Sequence, residues 1–253
     1  YGYEIDESKP VVVSTWQSLA TFDKEYFKDF GCVIGDEAHL FKSKELQKIL
    51  GALINAKYRI GTTGTLDDSK THKLVLEGLF GTVHQVTTTR SLIDKKQLAD
   101  LKIQCIVLKY PKEDCIQVKN LKYQEEMDYI VSHEQRNKFI RNLVKKQTGN
   151  TLVLFQYVEK HGKILHQMIG DTIDPKTRKL FFVYGGTDTK DRETVRSITE
   201  NESNAIIVAS YGTFSTGINI RNLHNIVFAS PSKSKIRNLQ SIGRGLRLGG
   251  NKD

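Results

Sequence analysis

The sequence is poor in cysteine and has no long apolar run. Its three cysteines, Cys32, Cys105 and Cys115, lack metal-ligand spacing, and so few thiols favour a reduced setting over a disulfide framework. No apolar run approaches the roughly 20 residues that span a bilayer, and no signal sequence opens the chain. We therefore expect a soluble, cytoplasmic protein with no membrane partner.

Acidic residues are the scarcer charge. The chain has 29 Asp and Glu against 38 Lys and Arg, which gives a net charge of +9 over 253 residues. Such a surplus favours a polyanionic partner such as nucleic acid, although a soluble basic protein without such a partner has the same composition. The length predicts two domains or one large one.

The most informative segment is the run from Phe30 to His39, an apolar strand that ends in the adjacent carboxylates of Asp36 and Glu37. Nucleotide hydrolases use such a strand tip to hold Mg²⁺ and to position a water for attack on a phosphate. A four-residue motif, Asp-Glu-Ala-His, also arises by chance, so its weight depends on the motifs downstream.

Apolar clusters alternate with helical stretches along the chain, as in βαβ units that form a parallel sheet. Ser43 is a candidate N-cap for a helix, and residues 112–114 resemble a connection between two lobes. We place the domain boundary there, giving domains 1–112 and 113–253. The predicted strands cover residues 10–14, 30–36, 57–62, 151–155, 180–184, 205–209 and 225–229.

Three further segments are candidates for binding. Ile60 to Thr65 forms a glycine- and threonine-rich turn after a strand, and Ile206 to Ile220 opens a strand into a loop rich in small and hydroxyl residues. In Gln240 to Arg247, the two arginines Arg244 and Arg247 are three apart, so on a helix they would share a face and approach one anion. Taken singly, each segment is equally consistent with an ordinary loop or a basic helix end.

In this order, the four segments resemble motifs II, III, V and VI of the superfamily 2 helicases and translocases. Residues 151–155 resemble motif IV, and residues 12–19 resemble the segment between motifs I and II. Within the superfamily, the chain looks most like the recombination helicases of T-even phages and, more broadly, the type III restriction translocases. The resemblance implies two RecA-like α/β lobes in tandem and a nucleotide cleft between them.

The resemblance also implies roles for individual residues. Asp36 would hold Mg²⁺, Glu37 would activate the attacking water, and His39 would link the ATP site to a coupling turn at Thr63 and Thr65. Further residues would act from the second lobe or on nucleic acid. These are Gln240, Arg244 and Arg247 on the phosphates, Gly217 and Asn219 near the nucleotide, and Thr15, Ser210 and Gly185 on the nucleic-acid backbone.

The sequence departs from the family pattern at several positions. Asn219 stands where Asp is common, Ser241 where many relatives have Arg, and Ser210 where Thr is common. No Gly-x-x-x-x-Gly-Lys-Ser/Thr occurs, so the loop that cradles the phosphates is missing. We expect that the natural chain is longer, that its first lobe is incomplete here, and that this piece is inactive alone.

The main hypothesis is the motor core of an ATP-dependent DNA helicase or branched-DNA translocase in recombination, replication or repair. It would use ATP and Mg²⁺, bind single-stranded or branched DNA or an RNA–DNA hybrid, and act as a monomer, in the host cytoplasm if phage-encoded. Two alternatives stay open. One is a non-catalytic nucleic-acid-binding or annealing module, and the other is the motor part of a restriction enzyme.

Overall fold

The computed structural model describes residues 11–66, 70–217 and 220–249, and the chain divides into two compact units between Val86 and Thr87. The sequence analysis placed the boundary after residue 112 instead. Residues 87–112 belong to the second unit: Ala99 N–H donates to Leu246 O at 2.8 Å, and residues 100–104, 106 and 108 line one cavity with residues 225–228 of that unit. Lys112–Val118 forms a helix rather than a linker.

The first unit is built on two parallel strands with helices packed around them. Cys32–Gly35 (β1) pairs with Tyr58–Gly61 (β2), with Gly35 opposite Gly61. Short 3₁₀ turns cover Lys24–Asp29 and Ala38–Lys42. The α-helices are Trp16–Leu19 (α1), Lys44–Ala52 (α2) and Lys70–Phe80 (α3).

Helix α2 shows why this sequence folds locally as it does. Ser43 caps it by accepting a hydrogen bond from Leu46 N–H, as predicted. Leu46, Ile49 and Leu50, at spacings of three and one, are buried on one side of the helix. Ile49 and Leu50 contribute to a core that also contains Phe27, so the helix is held by its apolar face.

The second unit contains a four-stranded parallel sheet in the order β4-β5-β3-β6. Its strands are Thr151–Phe155 (β3), Leu180–Val183 (β4), Ile206–Ser210 (β5) and Asn225–Phe228 (β6). Its α-helices are Thr89–Asp94 (α4), Lys112–Val118 (α5), Tyr123–Ser132 (α6), Glu134–Lys146 (α7), Lys163–Gly170 (α8), Thr189–Asn201 (α9), Tyr211–Gly217 (α10) and Lys235–Gly245 (α11). A π-helical turn, Val158–Gly162, precedes α8.

The central strands of this sheet are buried on both faces. All five residues of β3 are buried, and its alternating side chains enter two different clusters. Leu152 and Leu154 pack with Tyr211 and Phe214 on one side, whereas Val153 and Phe155 pack with residues of α7 and α8 on the other. Helices on both faces are what a near-continuous apolar strand requires, so the predicted parallel α/β class is confirmed.

One predicted strand is wrong. The described part of residues 10–14 forms no strand, and Val11 and Val13 are 72% and 93% exposed. An apolar run without a neighbouring ladder cannot satisfy its backbone groups as a strand does. Within the described residues, no helix combines the length and the hydropathy that crossing a membrane demands.

Candidate functional site

The two adjacent carboxylates follow directly after β1 in the first unit. Asp36 Oδ1 accepts hydrogen bonds from Glu37 N–H at 2.9 Å and from the Thr62 hydroxyl at 3.1 Å. Thr62 follows β2 just as Asp36 follows β1, since the register pairs Gly35 with Gly61. Thr62 belongs to the turn predicted from the sequence but is not among the predicted site residues. The parallel register of the two predicted strands would have placed it opposite Asp36.

Glu37 sits in the left-handed region, with φ 50° and ψ 49°. This conformation is uncommon for a residue with a side chain, and such backbones concentrate at functional sites. Glu37 Oε2 lies 3.2 Å from His39 Nδ1, within ion-pair distance. That oxygen is nevertheless buried and accepts no hydrogen bond from the described residues, because the histidine nitrogen is directed to another acceptor.

The acceptor for His39 is the hydroxyl of Thr63, with Nδ1 to Oγ1 at 2.9 Å. The Thr63 hydroxyl in turn donates to Thr65 O at 3.0 Å and accepts from Thr65 N–H at 3.2 Å. Since the hydroxyl hydrogen is used on Thr65 O, His39 Nδ1 must carry the proton that it donates to Thr63. The structure thus joins the strand-tip carboxylates to the predicted coupling turn through one buried imidazole.

Burial lowers the pKa of His39; the Glu37 carboxylate opposes this shift, whereas the nearby Lys42 ammonium adds to it. The side chain is almost completely enclosed, so the charged form loses its hydration. A neutral His39 with hydrogen on Nδ1 is therefore the form that this hydrogen-bond pattern holds at neutral pH.

Two glycines let the turn pack closely on the end of the sheet. A Cβ on Gly61 would lie 2.9 Å from Ala38 Cβ and 3.0 Å from the Phe80 ring, and one on Gly35 would lie 2.8 Å from the Phe41 ring. Real Cβ atoms do not approach that closely. Glycine at both strand ends is therefore required by packing rather than by a special backbone angle.

The donor set fits a magnesium ion that is held mainly by phosphate and water. Within the described ranges, no group of three His, Cys, Asp or Glu side chains could by itself enclose a metal. Mg²⁺ commonly takes only one or two protein carboxylates and keeps several waters. The exposed Asp36 carboxylate and the orphaned oxygen of Glu37 suit that sparse arrangement.

Thr15 is exposed and belongs to the first unit. Its hydroxyl caps the short helix α1 by accepting from Ser18 N–H at 3.4 Å, and it also lies 3.1 Å from the Ser18 hydroxyl. The side chain is thus held at a helix start on the surface of this unit.

In the second unit, Ser210 ends β5 and its hydroxyl is already used locally. It lies 2.8 Å from the Thr213 hydroxyl and accepts from Thr213 N–H at 3.4 Å, so it caps α10. Gly185 is exposed in the loop after β4, with open space around its Cα, and its carbonyl accepts from Arg192 at 3.0 Å. Gly217 is the last residue of α10, and Asn219 lies outside the described residues.

Helix α11 carries Gln240 and Arg244, but not Arg247. The helix ends at Gly245 with Leu246 as its C-cap, so Arg244 and Arg247 do not share a helix face as the spacing predicted. The guanidinium of Arg244 lies 5.8 Å from the centre of the Phe214 ring of α10, whereas Arg247 is exposed. The fully buried Ser241 donates to Arg237 O at 2.9 Å, so an arginine there would have to displace packed structure.

Two family models match the chain. Residues 134–249 match the helicase conserved C-terminal domain, and residues 2–68 match the res subunit of type III restriction enzymes. The two matches fall in the second and the first unit, respectively. The carboxylate turn lies in the match over residues 2–68, and the arginines of α11 and its end lie in the match over residues 134–249.

Known relatives point the same way. The ATP-dependent DNA helicase uvsW of Enterobacteria phage T4 is 40% identical over 246 residues, which are 96% of this chain and 48% of that protein. The crystal structure of T4 UvsW aligns with a TM-score of 0.51 at 38% identity, covering 96% of this chain and 47% of that one. The chain therefore spans about half the length of this relative.

More distant structures share the fold alone. The helicase domain of Pyrococcus furiosus Hef aligns with a TM-score of 0.52 at 13% identity, covering 93% of this chain and 74% of that one. A DNA-bound Type ISP restriction-modification enzyme, LlaBIII, aligns with a TM-score of 0.62 at 19% identity, covering 95% of this chain and 19% of that one.

Two tandem parallel α/β units, with an Asp-Glu pair at a strand tip of the first, define a fold of the RecA-like class. The matches above narrow the class, because both halves of a helicase are present in order. In both units the chain is similar to the superfamily 2 helicases.

Proposed function

We propose that this chain is the motor core of an ATP-dependent DNA helicase or branched-DNA translocase that acts in recombination, replication or repair. The observation that carries the proposal is the network Thr62–Asp36–Glu37–His39–Thr63 at the tips of β1 and β2. It combines an exposed carboxylate, a second carboxylate in a strained turn, and a link to the coupling loop. The 40% identity to a phage DNA helicase supports the same assignment.

In this proposal, Asp36 holds Mg²⁺ and Glu37 accepts the proton of the attacking water. The bound Mg²⁺ would neutralise charge on the β- and γ-phosphates of ATP. Thr62 and the Glu37 N–H orient Asp36 by hydrogen bonds of 3.1 and 2.9 Å. His39 couples the state of the turn to Thr63 and Thr65, because it donates to the Thr63 hydroxyl, which in turn donates to Thr65 O.

The second unit would supply the positive charge that phosphoryl transfer needs. Arg244 and Arg247 are the proposed arginine fingers, and Gln240 lies with Arg244 on α11. Gly217, the last residue of α10, and Asn219 are further candidates for nucleotide contact. Arg244 is held beside Phe214, which places motif VI next to the helix that follows β5.

Thr15, Ser210 and Gly185 are the proposed nucleic-acid contacts. Gly185 offers open backbone, whereas Ser210 would act mainly by capping α10. The net charge of +9 favours a polyanion. We propose single-stranded or branched DNA as the partner, with an RNA–DNA hybrid also accepted, and a monomeric motor in the cytoplasm.

The substitution Glu37→Gln tests the proposed base. In the natural protein that carries this chain, we expect DNA-stimulated ATP turnover to fall by about a hundredfold or more, since glutamine cannot take a proton. DNA affinity should stay within about twofold. Glu45→Gln is the matched control, because it removes one exposed carboxylate of α2 in the same unit. Turnover that survives Glu37→Gln would refute the role of Glu37.

A further inference from the structure

We propose that Tyr123, at the start of α6, is a stacking platform for an unpaired base of single-stranded DNA, with Lys233 beside it. This inference rests on the proposed function and adds a contact that the motif comparison did not select. Tyr123 is 48% exposed, and Lys233 Nζ lies 4.2 Å from the centre of its ring. An exposed aromatic ring beside a cation has the chemistry that unstacked bases and their phosphates recognise.

Lys233 is available to a phosphate as well as to the ring. It is exposed and forms no ion pair with any carboxylate in the described part of the chain. A cation–π contact at an exposed site contributes only about 0.5–1 kcal/mol. The contact therefore positions the ammonium without neutralising it.

Helix α6 holds the ring in place. The residue after Tyr123, Gln124, donates to the Tyr157 hydroxyl at 3.2 Å and to Asp128 at 3.2 Å, while Lys160 pairs with Asp128 at 2.6 Å. Met127 and Val131 of the same helix are buried. Tyr123 thus extends from a helix that is anchored both by polar contacts and by its apolar face, so little entropy is lost when a base stacks on it.

The platform lies at the carboxyl edge of the parallel sheet. Tyr157 follows β3 by two residues, and Lys233 follows β6 by five. Arg237, in the first turn of α11, reaches back to Gln156 after β3 with Nη1 to Oε1 at 2.8 Å. Ligands of open parallel sheets bind at this edge. Gly185, in the loop after β4, and Ser210, the last residue of β5, lie at the same edge.

The surroundings are basic. Lys119 and Lys122 precede Tyr123 in the chain, and the N-terminus of the ten-residue helix α6 adds partial positive charge. Glu125 and Glu126 also lie in the first turn of α6, where Glu125 accepts from Lys122 N–H at 2.8 Å, and Asp128 is paired with Lys160. Lys119, Lys122 and Lys233 would therefore be the contacts for the phosphates of a strand that crosses α6.

Single-stranded DNA fits this surface better than duplex. An aromatic face accepts any base, but only a base that is not already stacked and paired. We therefore expect the affinity for single-stranded DNA to depend on the Tyr123 ring, whereas the affinity for duplex should depend on charge alone.

The test compares the 253-residue chain with Tyr123→Ala, Tyr123→Phe and Lys233→Gln by fluorescence anisotropy. The probes are a labelled 20-nucleotide oligothymidine and a blunt 20-base-pair duplex, each at several salt concentrations. Tyr123→Ala should weaken oligothymidine binding about five- to a hundredfold without changing its salt slope, and should leave duplex affinity within about twofold. Tyr123→Phe should bind like the original chain. Lys233→Gln should reduce the salt slope for the single strand by about 0.7.

Two results would overturn the inference, provided that each variant keeps the circular dichroism spectrum and melting temperature of the original chain. One is unchanged oligothymidine affinity in Tyr123→Ala, and the other is an equal loss for single strand and duplex. An original chain that binds neither probe would instead contradict the DNA-binding part of the proposed function, so the two failures are distinguishable.

Discussion

At the scale of single residues, close contacts decide where a carboxylate or an imidazole can act. The turn that carries Asp36 and Glu37 is packed closely on the sheet, because Ala38 and the Phe80 ring both lie close to Gly61. The positions of the motif residues therefore depend on the lack of side chains at Gly35 and Gly61, which are paired on the neighbouring strands β1 and β2. We expect a substitution that adds one carbon at Gly61 to lower the stability of the first unit before it lowers the rate of catalysis.

The substitution Gly61→Ala tests this packing. We expect the first unit to lose about 1–3 kcal/mol of unfolding free energy, because the new Cβ would meet Ala38 at 2.9 Å and the Phe80 ring at 3.0 Å. Gly51→Ala is the control, since Gly51 lies in α2 with open space around it and should gain up to about 1 kcal/mol. Urea unfolding monitored by circular dichroism measures both, and equal effects would contradict the packing argument.

His161 is the residue with the clearest pH dependence. It is fully buried, with Nδ1 2.7 Å from the Ser230 hydroxyl and Nε2 3.2 Å from Asn137 Oδ1. Because Asn137 uses its amide nitrogen on Val131 O, its oxygen must accept, so His161 Nε2 carries the proton. Burial, with a smaller effect from Arg136, lowers the pKa of His161 to about 3.

The unfolded chain therefore binds a proton on His161 near pH 6.5, whereas the folded chain does so only near pH 3. The contribution of neutral His161 to the unfolding free energy is fully present above pH 6.5. It falls as the pH drops, by about 2 kcal/mol between pH 7 and pH 5. His166, whose pKa burial also lowers, adds to the same trend. Urea midpoints across this pH range measure it. The slope should be smaller in His161→Gln, and an unchanged slope would refute the assignment.

At the scale of elements, hydrogen bonds from side chains to backbone join strands that are distant in the sequence. Asn150, just before β3, is fully buried, and its amide nitrogen reaches the carbonyls of Thr199, Glu202 and Asn222 at 3.0, 2.7 and 2.7 Å. Its oxygen accepts from Ala205 N–H at 2.8 Å, next to β5. One side chain thus gathers the amino ends of β3, β5 and β6.

Replacing Asn150 by alanine should destabilise the second unit by about 3 kcal/mol or more, since several buried backbone groups lose their partner. Asn201→Ala is the matched control. Asn201 is exposed on α9 and makes a single bond to Ser197 O at 2.9 Å, so its loss should cost less than about 0.5 kcal/mol. Chemical unfolding decides between them, and equal losses would show that burial does not matter here.

Elements also show where the sequence pattern was sufficient. The six strands that form are those predicted from apolar runs, and Ser43 and α2 follow from an N-cap and helical spacing. The prediction was wrong where the outcome depended on a neighbouring strand or on where a helix ends. Residues 11–14 have strand-like composition but no strand beside them, and Arg247 falls outside α11 because the helix ends at Gly245.

At the scale of the whole molecule, the division between the units is the main correction. Residues 100–108 were grouped with the first lobe, yet they border a cavity of about 630 Å³ with β6, α7 and α11. Nothing in their composition shows this, because an apolar segment packs equally well on either unit. The contact is decided by tertiary structure alone.

Limited proteolysis tests the division. Residues 83–88 form no helix or strand, and Val86 is 94% exposed, so low concentrations of elastase should cut there first. Mass spectrometry should show two stable fragments that meet near Val86. The helix Lys112–Val118 should resist cleavage. First cleavage near residue 112 would instead support the boundary predicted from the sequence.

The sequence alone determined the class of this protein. Strand-tip carboxylates, glycine turns and paired arginines in a set order are needed for its chemistry, and these residue types can be recognised in the sequence. It also determined the parallel α/β class, since strands buried on both faces must be apolar throughout. Only the tertiary structure decided that Thr62 orients Asp36, that His39 lies beside Glu37 and bonds to Thr63, and that residues 87–112 belong with the second unit. These depend on distances between segments far apart in the chain, which no local pattern encodes.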